Sequence, residues 1–440
     1  MSESTAGKRP NVLFILTDNQ GWGDVSIYGC PYFQTPHMDK LATEGMRFTH
    51  AYSSAPMCTP SRVAFYTGRY PGRVGIGLRE TLPIVSVIGD KIGLPPEHPT
   101  VATLLKANGY DTALIGKWHC GHLPSYSPLK NGFDEYFGNR SGSIDYFRHT
   151  DSSGKPDLWE NDTSINLDGQ YITDLYSNRA VDYINRQHDN PFFLCLFYNA
   201  PHWPWESSKD KELSDTLIGK DNTRNWLETG APENYAELMR DLDAGIGRVM
   251  AALEQKGIAD DTLVVFASDQ GGDEFSHTGP FRRGRLHENG IRVPLFFRWP
   301  GVIAPHQVSE QMVIGMDISA TILSATGTEP DSRFPFDGED LLPVLTRKKP
   351  LYPRKFFWRH HGHPRPGIPL QRALRSGNWK YYRSGDYERL YDLATDEMEV
   401  NDVKDKFPDV FQALRKEYDQ WESQMLPYDL TDRATNPGMR

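Results

Sequence analysis

The segment Asn11-Val-Leu-Phe-Ile-Leu-Thr17 is apolar throughout its interior and ends abruptly in Asp18-Asn19-Gln20-Gly21. A strand with one wet face alternates in polarity, so an uninterrupted run predicts a strand covered on both faces, as in a parallel sheet between helices. Similar runs follow at Asp111-Thr-Ala-Leu-Ile-Gly116, Pro191 to Tyr198, Asp261 to Ser268 and Arg292 to Arg298. Helical patterns lie between them. Thr100 to Asn108 follows a proline, with Thr100 as cap and Gly109 as stop. Glu233 to Lys256 carries a stripe of Leu238, Leu242, Ile246, Val249 and Leu253, closed by Gly257. This alternation predicts an α/β fold with a large mixed, mostly parallel sheet flanked by helices. In such sheets ligands bind beyond the carboxyl ends of the strands. Asp18-Asn19, Lys117-Trp118-His119, Pro201-His202 and Asp269-Gln270 all fall there.

The pattern changes near Lys348-Lys349-Pro350. Beyond it come strand-like pieces (Lys355 to Arg359, Arg372 to Leu374, Lys380 to Tyr382) and an amphipathic helix around Phe407 to Trp421. The expected division is therefore a larger domain over 1–347 and a smaller C-terminal α+β domain over 348–440, with a loosely ordered tail after Met425. The net charge of −10, without a basic block, argues against partners of nucleic acid or anionic membrane, so any anion must be captured by a local positive pocket. The polar N-terminus has no signal-like apolar segment, and no stretch approaches membrane-spanning length. The expectation is a cytoplasmic protein, or a periplasmic or secreted one if a leader has been removed; the sequon at Asn161-Asp162-Thr163 has meaning only on a secretory route. The four cysteines suggest neither a disulfide framework nor a zinc site, and Cys30, Cys120 and Cys195 read as small buried or half-buried thiols.

Cys58 stands apart in Met57-Cys58-Thr59-Pro60-Ser61-Arg62, ahead of a helix-like stretch to Tyr66. A nucleophile at a helix N-terminus gains from the dipole and free amides. Taken by themselves, these residues allow an inert thiol or a catalytic thiolate. Cys-x-Pro-Ser-Arg, however, resembles the core signature of the type I sulfatases of the alkaline phosphatase superfamily. Gly116-Lys117-Trp118-His119, Pro201-His202, the oxygen donors at positions 18–19 and 269–270, and the segment Gly279 to Pro294 resemble other parts of that family in its order. The resemblance implies an alkaline-phosphatase-like fold with a smaller C-terminal domain and hydrolysis of sulfate monoesters on sulfated carbohydrates or aryl compounds. It also implies that a maturation enzyme oxidises Cys58 to formylglycine, whose hydrate attacks sulfur and whose second hydroxyl then expels sulfate.

Further roles are implied residue by residue. Arg62 would orient the hydrated aldehyde and Lys117 would bind a sulfate oxygen. His119 would contact the formylglycine hydroxyls, and His202 would protonate the leaving alcohol. Asp18, Asn19, Asp269 and Gln270, with the modified Cys58, would hold a divalent cation: calcium by resemblance, with magnesium open. The commonest family pattern is Asp-Asp first and Asp-Asn second, so this chain departs at Asn19 and Gln270. The family's second sulfate-binding lysine is replaced by Arg283, with Arg282 and Arg285 as alternatives in a loop shorter by about two residues. Asp145 to His149, Trp203 and Trp205 could line a sugar pocket, and the tract Arg359 to Arg365 could reach the cleft. Two other functions remain open: a phosphonate or phosphate ester hydrolase with the same nucleophile, and a non-catalytic anion-binding relative with an unmodified thiol. Oligomeric state is not legible.

Overall fold

The structure, a computed structural model, describes residues 9–428 except 80, 81, 83–91, 123, 218–222, 278, 280 and 362–368. The tail beyond Tyr428 and most of the tract around His363 lie outside the described residues. The main sheet contains β1 (Asn11–Thr17), β2 (Met46–Phe48), β4 (Asp111–Gly116), β5 (Glu135–Gly138), β6 (Trp159–Glu160), β7 (Thr163–Ser164), β8 (Phe192–Phe197), β9 (Thr262–Ser268), β10 (Leu295–Arg298) and β11 (Gln307–Ser309). They lie in the order β11-β2-β10-β9-β1-β8-β4-β5-β6-β7. The stretch from β9 to β5 is entirely parallel. A short parallel pair, β3 (Ala51–Tyr52) with β12 (Val313–Ile314), stands apart from it.

The unbroken apolar run of β1 is explained by its two buried faces. Leu13 and Ile15 join a core with Tyr176, Ile184, Leu238, Leu242, Ile246 and Val249. These come from α4 (Ile172–Asn185) and α5 (Pro232–Gln255), with α1 (Pro36–Thr43) beside them. Val12, Phe14 and Leu16 join a second core with Val63, Leu105, Ile318 and Ile322. Those side chains come from α2 (Cys58–Thr67), α3 (Val101–Ala107) and α6 (Gly315–Thr326). Burying each such aliphatic side chain contributes about 1.5–3 kcal/mol, so both faces of the strand stabilise the sheet. The predicted cap of α3 is present: Thr100 Oγ1 accepts from Thr103 N at 3.0 Å.

Parallel register brings the strand ends together. Thr17 pairs with Ser268, so Asp18 and Asp269 emerge side by side. Leu16 and Gly116 both pair with Phe197, which places the segment leading to His202 between Asp18 and Lys117. The expected strand at Arg292 to Arg298 forms only over β10 and runs antiparallel to β9. The reason is geometric: the 269–294 connection stays over the carboxyl end, so the chain re-enters the sheet from that end.

A second, antiparallel sheet follows in the order β13-β14-β15-β16, comprising Lys355–His360, Gln371–Ser376, Trp379–Ser384 and Tyr387–Asp392. The final helix α7 (Pro408–Glu422) packs on β14 and β15. This unit shares a core with Tyr52, Ala64, Leu286 and Ile291, and so touches the segments that flank the carboxyl edge of the large sheet.

Candidate active site

Cys58 is the first residue of α2, preceded by Met57 in extended geometry, and every residue of that helix is buried. Its sulfur donates to Asp18 Oδ1 at 3.5 Å and accepts from Gln270 Nε2 at 3.1 Å. The thiol is pushed up to about 11, first by burial and then by the Asp18 charge. That is the opposite of the depressed value a catalytic thiolate needs. Cys30, Cys120 and Cys195 are free and buried, as expected.

Asp18 is fully buried. Burial would raise its carboxyl, but the charges of Lys117, His202 and Arg62 outweigh that and hold it below the usual range. Asp269 beside it goes the other way, raised by burial and by the charge of Asp18 against the pull of Arg62. Arg62 donates through Nε and Nη2 to Asp269 Oδ2 at 3.1 and 3.0 Å and through Nη1 to the Lys117 carbonyl at 3.0 Å. It therefore ties β4 and β9 together behind the nucleophile and also approaches Asp18 at 3.7 Å.

Lys117 forms a buried ion pair with Asp18 and donates to the Gly142 carbonyl at 2.6 Å. Gly116 makes that turn feasible: its φ is 113°, and a Cβ there would lie 1.8 Å from the Phe197 carbonyl oxygen. His119 packs under Gly142 so closely that a Cβ at position 142 would meet its Cε1 at 2.7 Å. Its ring is kept neutral by burial, with Lys117 and Arg62 acting in the same direction. The Ser141-Gly142-Ser143 loop was not legible as part of the site; a small residue between two serines is its only sequence signal.

His202 donates from Nδ1 to the Trp203 carbonyl at 2.6 Å, since a carbonyl can only accept. Nε2 is left for the pocket, where ligand atoms of Asp18, Cys58 and His202 all lie within 4.8 Å of one another. Burial pushes this ring down to about 3 despite the Asp18 charge.

Among the candidate arginines the structure separates three positions. Arg282 pairs with Glu274 on an exposed face. Arg285 acts electrostatically on His287 and Tyr382. Arg283 is the one that faces Cys58, Asp18 and His202. Its Nε donates to Asp273 Oδ2 at 2.6 Å, and its guanidinium sits 5.8 Å from the Trp203 ring centre. Asp273 was missed in the sequence, where an acidic residue after two glycines carries no signal.

The donors at 18–19 and 269–270 fit a hard cation. Gln270 Oε1 is buried without a partner among the described residues, while Gln270 Nε2 presses on Asn19 Oδ1. Asn19, at φ 65°, can turn either end of its amide, with its oxygen then accepting from Arg283 Nε at 3.3 Å. Two carboxylates and two amides converge here, a set of oxygens suited to calcium or magnesium.

Of the residues expected to line a sugar pocket, the structure places Trp203 beside the site and the others differently. Tyr146 and Trp205 are core residues, and Asp145 accepts from Arg148 and Ser214 instead of facing a cleft. The indole of Trp203 packs on His202 at 4.4 Å.

Residues 10–328 match the family model Sulfatase, and residues 277–424 match the C-terminal part of N-sulphoglucosamine sulphohydrolase. The N-acetylgalactosamine-6-sulfatase of Rattus norvegicus is 35% identical over 382 residues, covering 80% of this chain and 69% of that protein. An arylsulfatase of Hemicentrotus pulcherrimus is 31% identical, covering 80% of this chain and 64% of its own length. The crystal structure of Ps i-CgsB superposes with a TM-score of 0.82 at 27% identity over 97% of this chain and 96% of that one. With Cys58, Lys117 and His202 gathered at one carboxyl edge and a match of this extent, the chain belongs to the sulfatase family, the hydrolases of sulfate esters.

Proposed function

We propose that this sulfatase cleaves the sulfate monoester of a sulfated carbohydrate, or an aryl sulfate, after a maturation enzyme converts Cys58 to formylglycine. Asp18, Asn19, Asp269 and Gln270, with position 58, would hold a divalent cation, calcium by family resemblance. The observation that carries the reading is the setting of Cys58: a buried thiol pushed up to about 11, at a helix N-terminus, beside Lys117 and Arg283. Such a thiol is a poor nucleophile, whereas its surroundings suit an oxygen nucleophile and an anion. A carbohydrate substrate is supported by relatives named as N-acetylgalactosamine-6-sulfatases.

Formylglycine, once formed at position 58, would supply as its hydrate an attacking oxygen and a second hydroxyl through which sulfate can leave, and a cation held by Asp18, Asn19, Asp269 and Gln270 would supply positive charge to the anion. The chain's own residues do the remaining work. Lys117 Nζ and the outer nitrogens of Arg283 neutralise sulfate oxygens. Arg62 holds Asp269 and the Lys117 carbonyl in place, so its contribution to orienting position 58 is made from behind. His202 has Nδ1–H fixed on a carbonyl, so a proton for the departing oxygen can come only from Nε2, which a ring held this low carries only once the negative charge of the bound ester raises it. His119, over which Gly142 closes, handles the hydroxyls of position 58.

The test is a peptide mass at position 58 combined with turnover of matched aryl sulfate and phosphonate esters. Loss of the thiol, an aldehyde-reactive label on that peptide, and preference for the sulfate are expected. Full activity from protein whose position 58 is entirely cysteine would overturn the formylglycine mechanism, and preference for the phosphonate would overturn the substrate class.

A further inference from the structure

We infer that Asp273 is a positioning residue that aims Arg283 at the sulfate group, an inference that rests on the function proposed above. Arg283 has three distinguishable nitrogens, and Asp273 Oδ2 takes Nε at 2.6 Å. A planar guanidinium gripped at Nε can turn neither about its long axis nor away from the pocket, so Nη1 and Nη2 remain as a fork toward the anion. Neither outer nitrogen donates a hydrogen bond among the described residues. The pair is largely buried, with side-chain exposures of 8% for Arg283 and 18% for Asp273.

The backbone fixes both ends of this arrangement. Arg283 N donates to the Gly272 carbonyl at 2.9 Å, just before Asp273, and Gly284 N donates to the Pro56 carbonyl at 2.9 Å, just before Cys58. The carboxylate, the arginine and the nucleophile are thus on segments laced together directly. The ring of Trp203 flanks the guanidinium at 5.8 Å.

Without Asp273 the remaining carboxylate that acts on Arg283 is Asp18, inside the pocket. The arginine would then fold inward across the position a sulfate must occupy. A lysine, with a flexible stem and a point charge, needs no such lateral grip. Asp273 therefore accompanies the arginine found in place of the family's lysine.

The experiment uses full-length matured protein with 4-nitrophenyl sulfate, inhibition by inorganic sulfate, and calorimetric binding of inorganic sulfate to a Cys58→Ala variant that cannot turn over. Asp273→Ala should raise KM and the sulfate inhibition constant about tenfold while kcat changes less than about threefold, the pattern of lost uniform anion binding. Asp273→Glu should restore most of the affinity. In a double-mutant cycle Asp273→Ala should add nothing to Arg283→Ala, because the two residues act as one unit. A plain loop staple would lower melting temperature and give multiplicative effects, with sulfate affinity per folded molecule unchanged; that result would overturn the inference. Failure of sulfate to bind the Cys58→Ala protein at all would instead count against the proposed function, so the two failures are distinguishable.

Discussion

Lys380→Met should destabilise the protein strongly above neutrality and much less in mild acid. Lys380 is fully buried, with Nζ 3.0 Å from Glu288 Oε1 and 2.9 Å from Glu399 Oε1. Arg375 Nη1 approaches Glu288 Oε2 at 3.0 Å, and Tyr52 donates to the same oxygen at 2.6 Å. The two carboxylates and two cations are balanced, so deleting the ammonium leaves an uncompensated buried charge. Removing one partner of a buried pair costs about 3–5 kcal/mol. The pH dependence follows from Glu399, which is pushed up to about 7, first by burial and also by Glu288, with Lys380 pulling the other way. In the unfolded chain that carboxyl ionises near 4.5. Between these values the folded state holds more protons, so stability falls as pH rises through that window. Without Lys380 the folded value moves higher still, and below it Glu399 carries a proton that cancels much of the cost.

Urea unfolding followed by tryptophan fluorescence at about pH 6 and about pH 8.5 reads this directly. The midpoint should fall far more at the alkaline pH, and Lys380→Met with Glu399→Gln should recover part of the loss. Equal losses at both pH values, or a double variant whose loss is the sum of the singles, would refute the reasoning. The same ionic knot lies just after Arg283, on a segment where Gln371 also grips Gly284 O at 3.0 Å and Leu286 N at 3.2 Å. The folded fraction of Lys380→Met should therefore show a raised KM as well.

His202→Ala should cripple hydrolysis of sugar or alkyl sulfates by about 10²–10⁴-fold while sparing much of the activity on nitrophenyl sulfate, whose leaving group departs unprotonated. Equal losses across leaving groups, measured as kcat/KM, would assign His202 to positioning instead. Asp18→Ala and Asp269→Ala should each abolish turnover and weaken calcium binding measured by chelator competition. Unchanged calcium affinity in either variant would remove that residue from the cation site.

The legible part of this molecule is the part written locally. An unbroken apolar run such as Val12 to Leu16 specifies a doubly covered strand, and the polar residues that end each run specify an edge. Parallel register then brings Asp18 next to Asp269 without further instruction. The direction of β10 was not legible, because it depends on where the long connection travels. Gly142 over His119, Asp273 on Arg283 and Lys380 between Glu288 and Glu399 were not legible either. Each joins residues far apart in sequence through a single side chain, and neither periodicity nor composition carries that information. The role of Tyr146 was not legible for a related reason: composition suits a tyrosine equally to a sugar face and to a core, and its burial places it in the core.

The departures from the commonest family pattern make physical sense as a set. Asp269 already has its carboxyl raised by burial and by Asp18, so another buried carboxylate at position 19 would worsen the repulsion whenever the cation is absent. Asn19 keeps an oxygen donor there and removes the charge. The carboxylates of Asp18, Asp269 and Asp273 then face the cations of Arg62, Lys117 and Arg283. Burial raises the last of these carboxylates, and the charge of Arg283 outweighs that and holds it below the usual range. Charge withdrawn from the ion site thus reappears as the grip on Arg283. Restoring the acid with Asn19→Asp should therefore strengthen cation binding yet draw Arg283 inward, so gains in metal affinity and losses in sulfate affinity should appear in the same variant.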